Sequence, residues 1–189
     1  TDTSMLASFV AVPADFVQPR PAALSAAAAC AVPVAYLTAY YALCELGGLR
    51  AGETVLVHSA TGGVGRAALE VCRMMDATVI ATAGSPEKRD HLHALGVEHV
   101  FDSRTTEFAA QVREVTGGRG VDLVLNSLVG EAIPAGLSVL APRGRFLEIG
   151  RRAVWTHERM AAERPDVEYH IVFLGDLSIG DPPAIRAMF

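Results

Sequence analysis

VLVHSATGGVGRAAL, residues 55–69, is the stretch from which the fold of this chain can be read. It opens as an apolar run, passes through a glycine cluster and closes with apolar residues at helical spacing. A dinucleotide pyrophosphate needs such a unit, because its oxygens must reach backbone N–H groups at a helix N-terminus with no side chain in the way. Gly62 and Gly63 permit that approach, and Gly65 lets the helix pack close on the strand. Ala60 stands where the usual G-x-G-x-x-G has its first glycine, so the pattern is Ala60-x-Gly62-x-x-Gly65. By itself it also fits a tight turn that binds nothing. What favours a dinucleotide site is a preceding strand and a following helix inside a repeated β-α pattern.

That repetition runs outward from the loop. Apolar runs at 54–58, 78–83, 98–101, 121–126, 145–150 and 167–174 read as strands, and the segments 63–75, 86–95, 106–116 and 131–140 as helices. Ser85 and Thr105 are expected as N-caps, Pro86 as the first helical residue, and Pro134 as a kink. Strands apolar on both faces and separated by helices imply a parallel sheet covered on both sides. The expected fold is therefore α/β, a Rossmann-type doubly wound parallel sheet of about six strands with helices on both faces. Ahead of it, residues 31–49 read as an apolar helix ending in Gly-Gly and residues 9–16 as a short strand-like piece. Residues 1–30 are expected to be the remnant of a preceding substrate-binding domain, and 31–189 the cofactor-binding domain.

NAD-specific domains place a carboxylate at the end of the second strand, on the ribose 2′-hydroxyl. Here that position reads Thr82-Ala83-Gly84-Ser85, and Lys88 and Arg89 follow. A hydroxyl, two cations and a helix N-terminus suit a 2′-phosphate, which points to NADPH over NADH; as plain helix charges the two cations would mean nothing. Asn126 and Ser127 at the end of the fourth strand, and the Glu-Ile-Gly run 148–150 that ends the fifth, lie where open α/β sheets bind ligands.

Composition excludes several alternatives. A net charge of −5 without a basic block gives no footprint for nucleic acid or anionic membranes. Cys30, Cys44 and Cys72 form no C-x-x-C pair and read as buried thiols of a reducing compartment. No secretory pattern opens the chain and no apolar run is expected to reach membrane-spanning length, so a cytoplasmic protein without membrane contact is expected. The six histidines show no metal-ligand spacing, so no metal site is expected; His58, at a strand end, reads as a hydrogen-bonded structural residue. No Gly-x-Ser-x-Gly elbow supports a hydrolase.

Six segments taken together, VPVAYLTAYYAL (32–43), AGETVLVHSATGGVGRAALEV (51–71), GSPEKR (84–89), DSRTTEF (102–108), GVDLVLNSL (120–128) and GRFLEIG (144–150), closely resemble the enoyl reductase domains of modular polyketide synthases and animal-type fatty-acid synthases. These form the zinc-free, quinone-reductase-like branch of the medium-chain dehydrogenases. The resemblance implies NADPH-dependent reduction of a trans-2-enoyl thioester carried on an acyl carrier protein, beside ketoreductase and dehydratase domains. It also implies roles for single residues: Thr38 near the nicotinamide; Gly62, Gly63 and Val64 on the pyrophosphate; Ser85, Lys88 and Arg89 on the 2′-phosphate; Ser103 and Arg104 beside the adenosine; Asn126, Ser127, Ile149 and Gly150 along the nicotinamide ribose. Arg151 stands where the family usually has a lysine, and Asp176 best matches the partner aspartate, a few residues late. Both are candidate catalytic residues. A free-standing quinone or alkenal reductase and a catalytically silent scaffold domain are the competing readings.

Overall fold

The structure is a computed structural model and describes residues 8–188. The first seven residues of the expected remnant, and Phe189, lie outside the described residues. Six strands, β1 (Thr54–Val57), β2 (Thr78–Ala83), β3 (His99–Asp102), β4 (Val121–Asn126), β5 (Leu140–Glu148) and β6 (Glu168–Ile171), form one sheet in the order β3-β2-β1-β4-β5-β6. Every pairing is parallel. The chain winds outward to β3, then crosses back to start β4 beside β1, which makes the β1/β4 junction the topological switch point.

Successive residues of a strand face opposite sides, so an all-apolar strand builds two cores. Val55, Val57, Leu123, Leu125 and Leu147 enter one, with α3 (Gly63–Met74) and Leu92 of α4 (Pro86–Ala94). Leu56, Ile80, Val124 and Phe146 enter the other, with α5 (Phe108–Val115), α6 (Ala132–Ser138) and Met160 of α7 (His157–Glu163). Fully buried Phe146 is worth about 3–5 kcal/mol against alanine. At the amino end of the sheet, Arg145 on β5 pairs with Glu53 at 2.7 Å, and Asp122 accepts from the Thr54 N–H at 2.8 Å. These bonds brace the sheet opposite its binding edge.

Several local expectations need correction. Residues 9–16 form no strand; a single 3-10 turn, Ala14–Phe16, stands there, and Phe9, Val10 and Val12 are exposed without a partner strand. The helix expected from 106 starts at Phe108, because Thr105 Oγ1 accepts from the Glu107 N–H two residues on and does not cap the third. Pro134 kinks nothing: it is the third residue of α6, where a helix needs no N–H of its own. β5 begins at Leu140, five residues early, and absorbs Arg143 at φ 60° through a register shift against β4.

The N-terminal helix is longer than expected. α1 (Ala26–Cys30), α2 (Val32–Tyr40) and a π-helical turn (Tyr41–Leu46) run on as 21 residues of mean hydropathy 1.5, long and apolar enough to cross a membrane by length and composition. This corrects the expectation that no apolar run has that length. Its inner residues Ala39, Ala42 and Leu43 are buried in the first core with α3, while Val34 and Tyr36 face outward.

Candidate functional site

The loop between β1 and α3 is built for close approach. Gly62 is the N-cap of α3 and offers no side chain to the first-turn N–H groups, so those donors stay free for an anion. The tight turn falls on Ser59, at φ 52°, whose carbonyl accepts from the Gly62 N–H at 2.9 Å. That is how Ala60 can occupy the position of the usual first glycine. Gly65 has no alternative: a Cβ there would lie 2.6 Å from Ala60 Cα. Gly63 is exposed and faces α2, whose Ala35 Cβ would be 3.9 Å from an added methyl; Val64 is half-buried.

Beside this loop the carboxyl ends of β1 to β4 enclose a cavity of about 180 Å³ lined by Ser59, Thr61, Gly84, Lys88, Ser103 and Arg104, with Ala83 and Leu128. No carboxylate is among its lining residues. The Arg104 guanidinium lies across Gly84, whose missing Cβ would meet Arg104 Nε at 2.7 Å. Ser85 caps α4, accepting from the Lys88 N–H at 3.5 Å, and thereby sets where Lys88 leaves the helix. Arg89 is placed differently from its neighbour. It pairs with Asp102 at 3.1 Å and donates to the Ala83 carbonyl at 3.3 Å, so its charge is spent inside the protein. Ser59, Thr61 and Leu128 were not expected from the sequence; a serine and a threonine inside a glycine loop were the available signal.

Beneath the cavity, His58 is buried at the end of β1 with Nδ1 2.9 Å from Thr82 Oγ1 and its ring edge-on to Phe108. Burial pushes its pKa down to about 3, so the imidazole is neutral and supports the strand ends.

On the other side of the switch point, the ends of β4 and β5 carry the remaining residues. Asn126 is fully buried; its Nδ2 donates to Glu148 Oε2 at 2.6 Å and to the Leu128 carbonyl at 2.9 Å, and its Oδ1 accepts from the Leu128 N–H. Glu148 Oε1 accepts from the Gly150 N–H at 2.6 Å. Burial pushes the Glu148 carboxyl up, and these two hydrogen bonds oppose the rise. Ser127 Oγ is buried without a partner. Ile149 is half-buried against the first core. Thr38 is half-buried on α2, between buried Leu37 and Ala39.

The two candidate catalytic residues stand on separate elements. The Arg151 guanidinium stacks 3.8 Å from the ring centroid of Phe173, and Asp176 is exposed in the first turn of α8 (Leu174–Gly180). Among the described residues no ion pair joins them.

Residues 63–169 match the family described as zinc-binding dehydrogenase. Among the described residues no group of three or more His, Cys, Asp or Glu side chains could hold a metal ion, so these residues do not fit the zinc of the family's name. The chain is 47% identical over 181 residues to phthioceranic/hydroxyphthioceranic acid synthase of Mycobacterium tuberculosis, a match covering 95% of this chain and 8% of that protein. It thus spans about a twelfth of that relative. The CurK enoyl reductase superposes with a TM-score of 0.89 at 42% identity, over 92% of this chain and 52% of that one. The nucleotide-binding subdomain of the enoylreductase domain of PpsC from Mycobacterium tuberculosis gives a TM-score of 0.75 at 46% identity, over 82% of this chain and 88% of that one. A free glycine-loop helix end, a polar cavity across the sheet's carboxyl edge and these likenesses agree: the chain belongs to the zinc-binding dehydrogenase family, as a nucleotide-binding subdomain of the polyketide-synthase enoyl reductase type.

Proposed function

We propose that this chain holds NADPH along the carboxyl edge of its sheet and is the cofactor-binding part of an enoyl reductase in a cytoplasmic polyketide synthase. The observation that carries the choice of NADPH is the cavity at the ends of β1 to β3, where Lys88 and Arg104 stand and no carboxylate lines the wall. A ribose 2′-hydroxyl is held by a carboxylate, a 2′-phosphate by cations. Gly62 to Val64 at the start of α3 take the pyrophosphate. Ser103 flanks the adenosine. That direction lays the nicotinamide half over Asn126, Ser127, Ile149 and Gly150, with Thr38 facing it from α2.

When bound, the cofactor supplies a hydride to the β-carbon of a trans-2-enoyl thioester presented by an acyl carrier protein. The Arg151 guanidinium stabilises negative charge on the thioester oxygen and is a poor source of the proton for the α-carbon. The proton then comes from water, from Asp176 or from a residue outside this segment. The exposed Phe9, Val12, Val34 and Met74 fit contact with the remainder of the reductase and the neighbouring ketoreductase and dehydratase domains.

The test is NADPH oxidation by the intact parent module given a carrier-linked enoyl thioester. Turnover supports the reading. NADPH binding without turnover, with activity appearing in Arg151→Lys, would instead favour a silent scaffold, which the Arg151–Phe173 stack and the exposed Asp176 also suit. Turnover of small quinones alone would make the parent a quinone reductase.

A further inference from the structure

We infer that Glu148 is a positioning residue that ties together the two loops under the nicotinamide half, by bridging the Asn126 amide on one to the Gly150 N–H on the other. The inference rests on the NADPH reading above and concerns the half of the site that the cavity does not form.

Glu148 is the last residue of β5 and 2% exposed, and Asn126, its register partner at the end of β4, is fully buried. A buried carboxylate is costly unless every oxygen is hydrogen-bonded. Both oxygens here are engaged at 2.6 Å, one by each loop. The partners sit where the loops begin: Asn126 leads into Ser127 and Leu128, and Gly150 leads directly into Arg151. Gly150 also has to be glycine for the bridge to stand, since a Cβ there would lie 2.5 Å from Glu148 Oε1. Ser127, which follows Asn126, keeps a buried Oγ with no partner, a polar group left unsatisfied beside the bridge.

The chemistry demands a carboxylate. Both partners are N–H donors, so the group between them must accept on both sides. A glutamine of the same shape turns an NH2 towards one donor and breaks that side. An aspartate keeps the charge and loses the reach. Neither change touches the bonds from Asn126 to Leu128, so the adenosine cavity, which Leu128 lines, stays intact. A residue that only stabilised the fold would affect both halves alike.

The experiment measures the affinity of this chain for two ligands, NADPH by fluorescence titration and 2′-phospho-ADP-ribose, which lacks the nicotinamide, by calorimetry. In Glu148→Gln and in Glu148→Asp, NADPH is expected to bind about tenfold more weakly, and 2′-phospho-ADP-ribose within about twofold of wild type. Equal weakening of both ligands, or no weakening of either, would overturn the positioning role. Wild type binding neither ligand would overturn the NADPH reading itself.

Discussion

The two halves of the carboxyl edge are built to different degrees. Around the ends of β1 to β4, the glycine loop, Gly84, Lys88, Ser103, Arg104 and Leu128 enclose a cavity of about 180 Å³. Around the ends of β4 and β5 the backbone is equally well braced, by Glu148 and Asn126. There the Arg151 guanidinium stacks on Phe173 and Asp176 is exposed on α8. One half thus has a walled polar cavity, and the other a braced edge whose candidate side chains stand on separate elements. The likeness to enoyl reductases about twice this chain's length fits that division.

The largest effect that would break the comparison is expected from Gly65→Val. Its side chain would strike the backbone of Ala60, which cannot move without β1. We expect a loss of roughly 3 kcal/mol of stability and of all detectable dinucleotide binding. Thermal unfolding with an NADPH titration checks both, and retained binding would show that the loop does not hold the pyrophosphate.

The pH dependence of stability comes next, and it has opposite signs in the two halves. His58 has its pKa lowered from 6.5 to about 3. The unfolded chain therefore takes up this proton first, and the contribution is full above about pH 6.5 and falls by about 1.4 kcal/mol per unit as the pH drops towards 3. Glu148 is raised from 4.5 by burial, so its contribution is full below that pH and is lost as the pH rises through its folded value. Denaturation of His58→Gln between pH 7 and pH 4 should show a shallower acid slope than wild type. An unchanged slope would mean that the imidazole is not held neutral.

Smaller effects sharpen the adenosine half. Replacing Lys88 and Arg104 together by alanine is expected to weaken NADPH binding by about 10- to 100-fold and to leave NADH unchanged, because only the 2′-phosphate needs the cations. Arg89→Ala should change NADPH affinity by less than about threefold, since that guanidinium is occupied by Asp102 and the Ala83 carbonyl. A large effect of Arg89→Ala alone would reverse these assignments.

Much of this arrangement was legible in the sequence, for physical reasons that also mark where legibility stops. β2 and β4 match their expected bounds, because each is an apolar run bracketed by turn residues. The early start of β5 was not readable, since Pro142, Arg143 and Gly144 look like a turn and only the pairing of Leu140 with Val121 makes that stretch a strand. Residues 9–16 begin with an apolar, strand-like run, but a strand requires a neighbour and none is described there. In the site, Lys88 and Arg89 are adjacent cations in sequence, and only Asp102, arriving from β3, separates their roles. Glu148 carried a signal that went unused: a carboxylate closing an otherwise apolar strand is costly unless something meets it.

The most direct test is a fluorescence titration of this chain with NADPH and with NADH under the same conditions. Tighter binding of NADPH by tenfold or more is expected, with the difference removed by alanine at Lys88 and Arg104. Equal affinity for the two, or a preference for NADH, would contradict the reading of the cavity as a 2′-phosphate site.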